Sequence, residues 1–386
     1  MNALPVARLQ FATTTSFHFL FVLLTLGLVT LVAVMQTRWT LGGKPELLRM
    51  TRFWGRLYVI NYALGIATGI VMEFQFGLTW TGLSAFAGDV FGAPLAIETL
   101  VAFFLESTFL GLWIFGFDRM PKGLHLALIW LVTLTAYASA LFIMVANSFL
   151  QNPVGSHVEN GTLRLDDFGA LFSNPALVAS LPHVLSAALV TGGFFVVGVS
   201  AWHFVKRTAE VEFFRRSMRI GVVASLAGSI FVVNQGFAQF GRLKTYQPDK
   251  LDESVVGMPL GAMIGLGFLM FACALVGTLL LFRNWVTKAR FLHYLMVAAI
   301  PLPFLAAIMG WLVRELGRQP WLVWGKLRTA DAVAGVPAGQ ILFSFIAFTL
   351  LFAALAVADW VLMARVAKRG PDPVEAPAER PVLSGV

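Results

Sequence analysis

The sequence predicts an all-α membrane protein, a polytopic helical bundle with about nine transmembrane helices. Three observations predict it: 58% of the residues are hydrophobic, only 12% are charged, and the mean hydropathy is +0.79. Soluble domains carry roughly 25% charged residues, so a 386-residue chain of this composition is not two soluble domains. A helix needs about 20 apolar residues to cross the hydrocarbon layer, and runs of that kind recur along nearly the whole length.

The first run, 11–36, follows Arg8 as its only preceding charge and leads to no small-residue cleavage pattern, so it reads as a retained helix and not a signal peptide. The second, 53–77, contains Arg56 and Glu73. The third, 94–117, opens at Pro94 and contains Glu98 and Glu106; the fourth, 125–147, contains Ser139. A longer connection, about 148–180, leads to the fifth run, 181–205, with His183 and His203. The sixth, 219–236, is short and is followed by an outer connection at about 237–256. The seventh, 257–282, contains Met263 and Cys273, the eighth, 293–315, ends on Arg314 and Glu315, and the ninth covers 339–365. No fixed-period repeat and no inserted soluble domain interrupts residues 1–370, which form one transmembrane domain. Residues 371–386, rich in Pro, Glu and Ala, read as a disordered cytoplasmic tail.

A net charge of +8 in a soluble protein would suggest nucleic acid; here its distribution over the loops carries the information, and no nucleic-acid partner is expected. Alternate connections and the C-terminal tail hold eighteen Lys and Arg residues against eight on the opposite side. The positive-inside rule puts the N-terminus outside and the C-terminus in the cytoplasm. The sole cysteine, Cys273, excludes an intramolecular disulfide and an iron–sulfur cluster held by this chain.

The third run is the most informative. Nothing basic within it neutralises Glu98 and Glu106, and a charge at bilayer depth costs roughly 2.5 to 3.5 kcal/mol, so such acids mark a proton or cofactor path. On a regular helix they lie about 12 Å apart along the axis and about 80° apart around it. Ser107 and Ser139 accompany Glu106 as candidate members of a proton route. His125, His203 and His293 fall at cytoplasmic ends of runs and His157 in a polar loop, where interfacial or solvated roles suffice. His18 and His183 differ, each sitting on the outer half of an apolar helix, and a buried neutral imidazole of this kind is a common haem ligand, with Met a possible second one. His183 and His203 are about 30 Å apart and cannot share one haem. Met263 is a candidate by depth. Glu315 has two readings, an interfacial acid paired with Arg314 or Arg318 or part of a cofactor site, and Glu73 has the same ambiguity.

Several strings resemble subunit I of cytochrome bd-type terminal oxidases: Arg8-Leu9-Gln10-Phe11 with His18-Phe19-Leu20-Phe21, Met72-Glu73-Phe74-Gln75-Phe76-Gly77, and Phe91-Gly92-Ala93-Pro94-Leu95-Ala96-Ile97-Glu98. Phe103-Phe104-Leu105-Glu106-Ser107-Thr108-Phe109, Gln151-Asn152-Pro153, Ile300-Pro301-Leu302-Pro303 and Gly317-Arg318-Gln319-Pro320-Trp321 extend the match over most runs. The resemblance implies a nine-helix subunit in the bacterial cytoplasmic membrane that oxidises quinol and reduces oxygen to water, taking protons from the cytoplasm. It implies three haems: low-spin haem b, high-spin haem b, and haem d or a b-type replacement. By that resemblance His18 is the axial ligand at the oxygen site, Glu315 the ligand of the other high-spin haem, and His183 with Met263 the low-spin pair. Trp311 and Arg318 are cofactor-binding, Glu98 stands beside the oxygen-reducing haem, and Glu106, Ser107 and Ser139 line the proton path. A second large membrane subunit and a small single-helix subunit are the implied partners.

The chain departs from the family pattern in two places. The quinol-binding connection is cut to about twenty residues; Gln247-Pro248-Asp249-Lys250 is present, but Val255 stands where the family has an acid, leaving Glu253 or Asp252 as substitutes beside Lys250. Gly261 stands where the family commonly has an arginine, and Arg242 or Lys244 are candidates to supply that charge. The rival readings are a bd-like oxidase with an altered donor or b haem in place of d, and, more remotely, a non-redox proton-linked channel or transporter.

Overall fold

The computed structural model describes residues 3–251, 254–282 and 290–373, and among them nine helices are long and apolar enough to cross a membrane. Helix α1 (Ala3–Gly42) turns at Gly43, whose φ of 65° suits glycine, into α2 (Pro45–Leu78), with Pro45 in the first helical turn, where its missing N–H is not needed. The third span is composite: α3 (Thr81–Ile97), a π-helical segment (Glu98–Phe103) and α4 (Phe104–Gly116). Helix α5 (Lys122–Gln151) follows.

The first long connection is more ordered than its polar composition suggests. Strands β1 (Ser156–Glu159) and β2 (Thr162–Leu165) pair antiparallel across Asn160 and Gly161, both at positive φ, as an Asn-Gly hairpin turn requires. A short α6 (Phe168–Phe172) leads to α7 (Pro175–Val205), capped by the Asn174 side chain, and then to α8 (Val211–Tyr246). A 3₁₀ turn (Pro248–Leu251) precedes α9 (Ser254–Phe282), α10 (Arg290–Ala298) and α11 (Leu302–Leu316). The eighth span is thus two helices, interrupted beside Pro301, which lacks an amide hydrogen to continue the ladder. A second small hairpin, β3 (Trp321–Val323) with β4 (Leu327–Arg328), and α12 (Thr329–Ala332) lead to α13 (Ala338–Arg369).

Every expected span coincides with these helices, apart from Phe117 at the end of the third and the break at 299–301 in the eighth, and most helices run past it. The sixth is the clearest case. Helix continues through Tyr246, so the outer connection expected at 237–256 shrinks to residues 247–253. Hydropathy falls where the chain leaves the apolar layer, while the helical ladder needs no apolar side chains to continue. Glu253 lies outside the described residues, as do 374–386 of the expected tail.

Close helix contacts rest on small residues, as expected where apolar burial alone cannot distinguish protein from lipid. A side chain at Gly27 would collide with the Ala188 carbonyl and Gly192 backbone, so α1 and α7 touch main chain to main chain. Buried amides then fix registers: Asn61 Nδ2 on α2 donates to Phe21 O (2.8 Å) and Thr25 Oγ1 (2.7 Å) on α1. Ion pairs Arg49–Glu210 (2.7 Å), Arg52–Asp118 (2.6 Å) and Arg56–Asp372 (2.5 Å) rim the end where the chain finishes. Arg56, expected within a span, therefore belongs to that charged rim.

The histidines at helix ends are more buried than their positions suggest. His125 is 2% exposed, its Nδ1 accepting from Gln36 Nε2 (2.9 Å) and its Nε2 donating to the Trp113 carbonyl (2.8 Å). His203 stacks on Phe214 at 3.7 Å between ring centroids and donates to the Ala367 carbonyl. His157 alone matches a solvated position, exposed and paired with Asp166.

Candidate functional site

A cavity of about 950 Å³ lies inside the bundle, and His18, His183, Met263, Glu315, Trp311, Arg318, Lys250, Glu98, Glu106 and Ser139 all line it. Residues from eight of the nine spans, widely separated in sequence, thus face one space. Ser107 stands behind the wall, 3.4 Å from the Tyr62 hydroxyl.

The two cavity imidazoles are held in one tautomer by bonds on their far side. Thr68 Oγ1 donates its single hydrogen to the Gly65 carbonyl (2.7 Å), so at 2.8 Å from His18 Nδ1 it can only accept. His18 Nδ1 therefore carries the hydrogen and Nε2 presents a lone pair. His183 reaches the same state because its Nδ1 faces a carbonyl, Val232 O at 3.0 Å, which only accepts. Ligating histidines use this arrangement, one nitrogen donating to an outer partner and the other free for a metal. His125, with both nitrogens occupied by protein, lacks it.

His18, His183 and Met263 each have a glycine against them. A Cβ at Gly69 would lie 3.3 Å from His18 Cε1, one at Gly236 3.2 Å from His183 Cε1, and one at Gly310 2.9 Å from Met263 Sδ. The first two approaches are tight and the third is a clash. Two bare imidazole nitrogens and a thioether around one apolar-walled cavity fit haem iron; the described residues contain no cluster of three or more His, Cys, Asp or Glu that could hold a bare metal ion.

At one end of the cavity Glu315 forms an ion pair with Arg318 and accepts from Asn147 Nδ2 (3.2 Å). Arg314, the alternative partner, instead donates to Asn147 Oδ1 and to Ser148 Oγ (3.1 Å). Lys250 is 4% exposed, with Nζ donating to Gln151 Oε1 (2.7 Å) and Gln247 Oε1 (3.0 Å). Burial pushes its ammonium well below the usual lysine range; Arg314 and Arg318 act in the same direction and Glu315 opposes them.

The acids group differently from the expected route. Ser139 Oγ donates to Glu98 Oε1 at 2.5 Å, so it belongs with Glu98 and not with Glu106. Thr99 Oγ1 lies 3.0 and 3.1 Å from the two carboxylate oxygens of Glu73 and 3.3 Å from Glu98 Oε2, joining α2 to the third span. Glu106 is 5% exposed, and its Oε1 has no hydrogen-bond partner among the described residues. The angle of about 80° between Glu98 and Glu106 does not hold, because the π segment between them adds residues to the turn. Thr68, Thr99 and Tyr62 escaped sequence reasoning: a lone hydroxyl in an apolar run carries no signal until its cross-helix partner is known.

A helical membrane bundle enclosing imidazole, thioether and carboxyl groups in one cavity fits the class of membrane-embedded haem proteins. The particular family follows from comparison: the sequence pattern of cytochrome bd terminal oxidase subunit I matches residues 6–253 and 254–371, and the chain belongs to that family. It is 39% identical over 443 aligned residues to cytochrome bd ubiquinol oxidase subunit 1 of Bacillus subtilis (strain 168), covering 96% of this chain and 94% of that one. It is 30% identical over 504 residues to cytochrome bd-II ubiquinol oxidase subunit 1 of Escherichia coli (strain K12), covering 97% and 98%. The bd oxidase structure from Geobacillus thermodenitrificans shares the fold, with a TM-score of 0.88 at 24% identity over 96% of this chain and 100% of that one. The chain is thus a terminal oxidase subunit of a bacterial membrane, from a family whose members carry haem and work in multisubunit complexes. The family match breaks between 253 and 254, in the connection that sequence reading found shortened.

Proposed function

We propose that this chain is the haem-bearing catalytic subunit of a quinol:oxygen oxidoreductase, and the observation that carries the proposal is the pair of cavity imidazoles tied at Nδ1 and bare at Nε2. His18 would hold the haem of the oxygen site, of d type or a b-type replacement, Glu315 a second high-spin haem, and His183 with Met263 the low-spin haem. Bound there, haem supplies electron storage and the oxygen-reducing chemistry. Trp311, in tilted ring contact with Phe11 and Phe19 at 6.0 and 5.5 Å between centroids, lines the cavity with the ligands.

The protein's own part is to hold and move protons. One Thr99 hydrogen cannot serve two anionic carboxylates at once. One proton shared between the two carboxyl groups, with the Thr99 hydroxyl accepting from one and donating to the other, satisfies all three groups. Ser139 supports the opposite oxygen of Glu98. Glu106, with Ser107 and Tyr62 behind it, is the next acid along the span and would pass protons from the cytoplasmic side. That direction rests on the loop-charge asymmetry, with the N-terminus outside and the tail after residue 370 in the cytoplasm.

Lys250, with Glu253, is the proposed quinol contact. Its burial beneath a short connection also favours a second reading, a bd-type oxidase with an altered electron donor. Exposed apolar side chains on α4 (Leu105, Leu112, Phe115) and α13 (Phe343, Leu350, Val357) support coverage by lipid, a second large subunit and a small single-helix subunit.

A reduced-minus-oxidised spectrum of the purified complex with haem extraction tests the reading. Three haems are expected, with a far-red band if one is a chlorin, and absence of haem bands would sink it. Quinol-driven oxygen uptake decides the donor: loss in Lys250→Ala with an intact spectrum supports the quinol contact, and unchanged kinetics count against it.

A further inference from the structure

Around Glu315, three cations meet one carboxylate. Lys250, Arg314 and Arg318 all line the cavity, yet among the described residues the only ion pair they form is Arg318–Glu315. Lys250 rests on two neutral amide oxygens and Arg314 on Asn147 and Ser148. Arg318 is 1% exposed, and its Nε and Nη1 have no hydrogen-bond partner among the described residues. Even without the lysine, whose burial disfavours its charged form, two guanidinium groups against one carboxylate leave an excess of positive charge, in a setting where unpaired charge is strongly disfavoured. The site is built for its lysine: any side chain at Gly317 would meet the Lys250 stem, at 2.7 Å from Cγ and 2.8 Å from Cε. Such a cluster calls for anions, and planar guanidinium groups select carboxylate or phosphate.

Helix geometry divides the cations between two neighbours. Arg318 and Glu315 pair at i, i+3 on one face of the chain leaving α11. Arg314 is four residues from Gly310, the glycine against Met263 Sδ, so the two share a face and Arg314 stands one turn, about 6 Å, along the helix axis from that glycine. Arg314 and His183 line the same cavity. The cations considered from sequence for this role, Arg242 and Lys244, are both exposed on α8.

We propose that Arg314, on the transmembrane helix itself, is the carboxylate-binding residue for the group held by His183 and Met263, taking the charge role left open by Gly261 and raising that centre's reduction potential. Arg314 is a positioning and tuning residue: its guanidinium, braced by Asn147 and Ser148, receives a porphyrin carboxylate, with Lys250 as the adjoining cation. A fixed positive charge there favours the reduced, less positive state of the iron.

The inference rests on the haem reading above, and the test separates the two. In the whole oxidase complex, an equilibrium redox titration is followed at the low-spin haem band for wild type, Arg314→Gln, Arg314→Lys and Arg242→Gln. With haem content unchanged, Arg314→Gln is expected to shift the oxidised-to-reduced ratio at a fixed poise about tenfold toward oxidised, equivalent to about 59 mV for one electron, with the other haems unmoved. Arg314→Lys should recover most of the shift and Arg242→Gln should show none. An unmoved low-spin potential in Arg314→Gln, or an equal shift of all haems, overturns the proposal. Should Arg314→Gln lose the haem, Arg314→Lys carries the test through the redox-induced infrared difference spectrum of haem carrying ¹³C-labelled propionates. Displaced carboxylate bands support the contact and undisplaced bands overturn it. A wild-type complex without haem bands would instead refute the haem reading itself.

Discussion

Replacing Thr68 by Val removes one hydroxyl from the middle of α2 and keeps the shape of the side chain. In the structure that hydroxyl is fully buried and is the acceptor for His18 Nδ1–H at 2.8 Å. Valine would leave the imidazole hydrogen unpaired in a dry site, a loss of about 1–3 kcal/mol, and would release the ring to rotate or to move its proton to Nε2, which abolishes the lone pair aimed at the cavity. Outer partners of ligating histidines typically govern about 10- to 100-fold in metal affinity, in line with that energy. The expected result is a selective loss of one high-spin haem, read as a fall in extracted haem per protein and a changed high-spin band, while the low-spin bands persist. Thr68→Ser, which keeps the hydroxyl, should retain both. Full haem content with an unaltered high-spin spectrum in Thr68→Val would refute the tautomer argument and with it the strongest support for His18 as a ligand.

Gly310→Ala places a carbon 2.9 Å from Met263 Sδ, so the thioether must move; loss of the low-spin spectrum with the high-spin bands intact is expected, and an unchanged spectrum would exclude Met263 as an axial donor. Glu73→Gln and Ser139→Ala each remove a member of the proton-holding group around Glu98, and positioned acid–base groups typically contribute about 10²- to 10⁴-fold; steady-state oxygen uptake should fall within that range while haem content stays constant, and uptake at the wild-type rate in both would dissolve the proposed group. Lys250 has a folded-state pKa below its unfolded value near 10.4, so the unfolded chain binds more protons between the two and stability rises with pH across that window. Lys250→Met should flatten the rise in apparent Tm as pH climbs toward the unfolded value, and parallel pH profiles for the two proteins would contradict the burial argument.

Much of this protein was legible before folding. Spans were visible because bilayer-depth helices need uninterrupted apolar length, and the isolated acids Glu98 and Glu106 stood out because such runs exclude charge. His18 and His183 were conspicuous for the same reason. Which hydroxyl ties which imidazole was not legible: Thr68 is 50 residues from His18, and only the packing of α1 on α2, with Gly65 and Gly69 giving room, brings them together. The regrouping of Ser139 with Glu98 depends on the π segment, whose extra residue per turn redirects side chains without altering the apolar pattern that hydropathy detects. Arg314 and Arg318 were equal partners for Glu315 in sequence, and the i, i+3 spacing on a helix end chose Arg318. Sequence by itself determined what the bilayer enforces: the number of spans, their order, and the few polar residues that must have a purpose. Tertiary structure decided pairing, because hydrogen bonds and close glycine contacts act over about 3 Å between helices far apart in the chain, and no one-dimensional pattern encodes that distance.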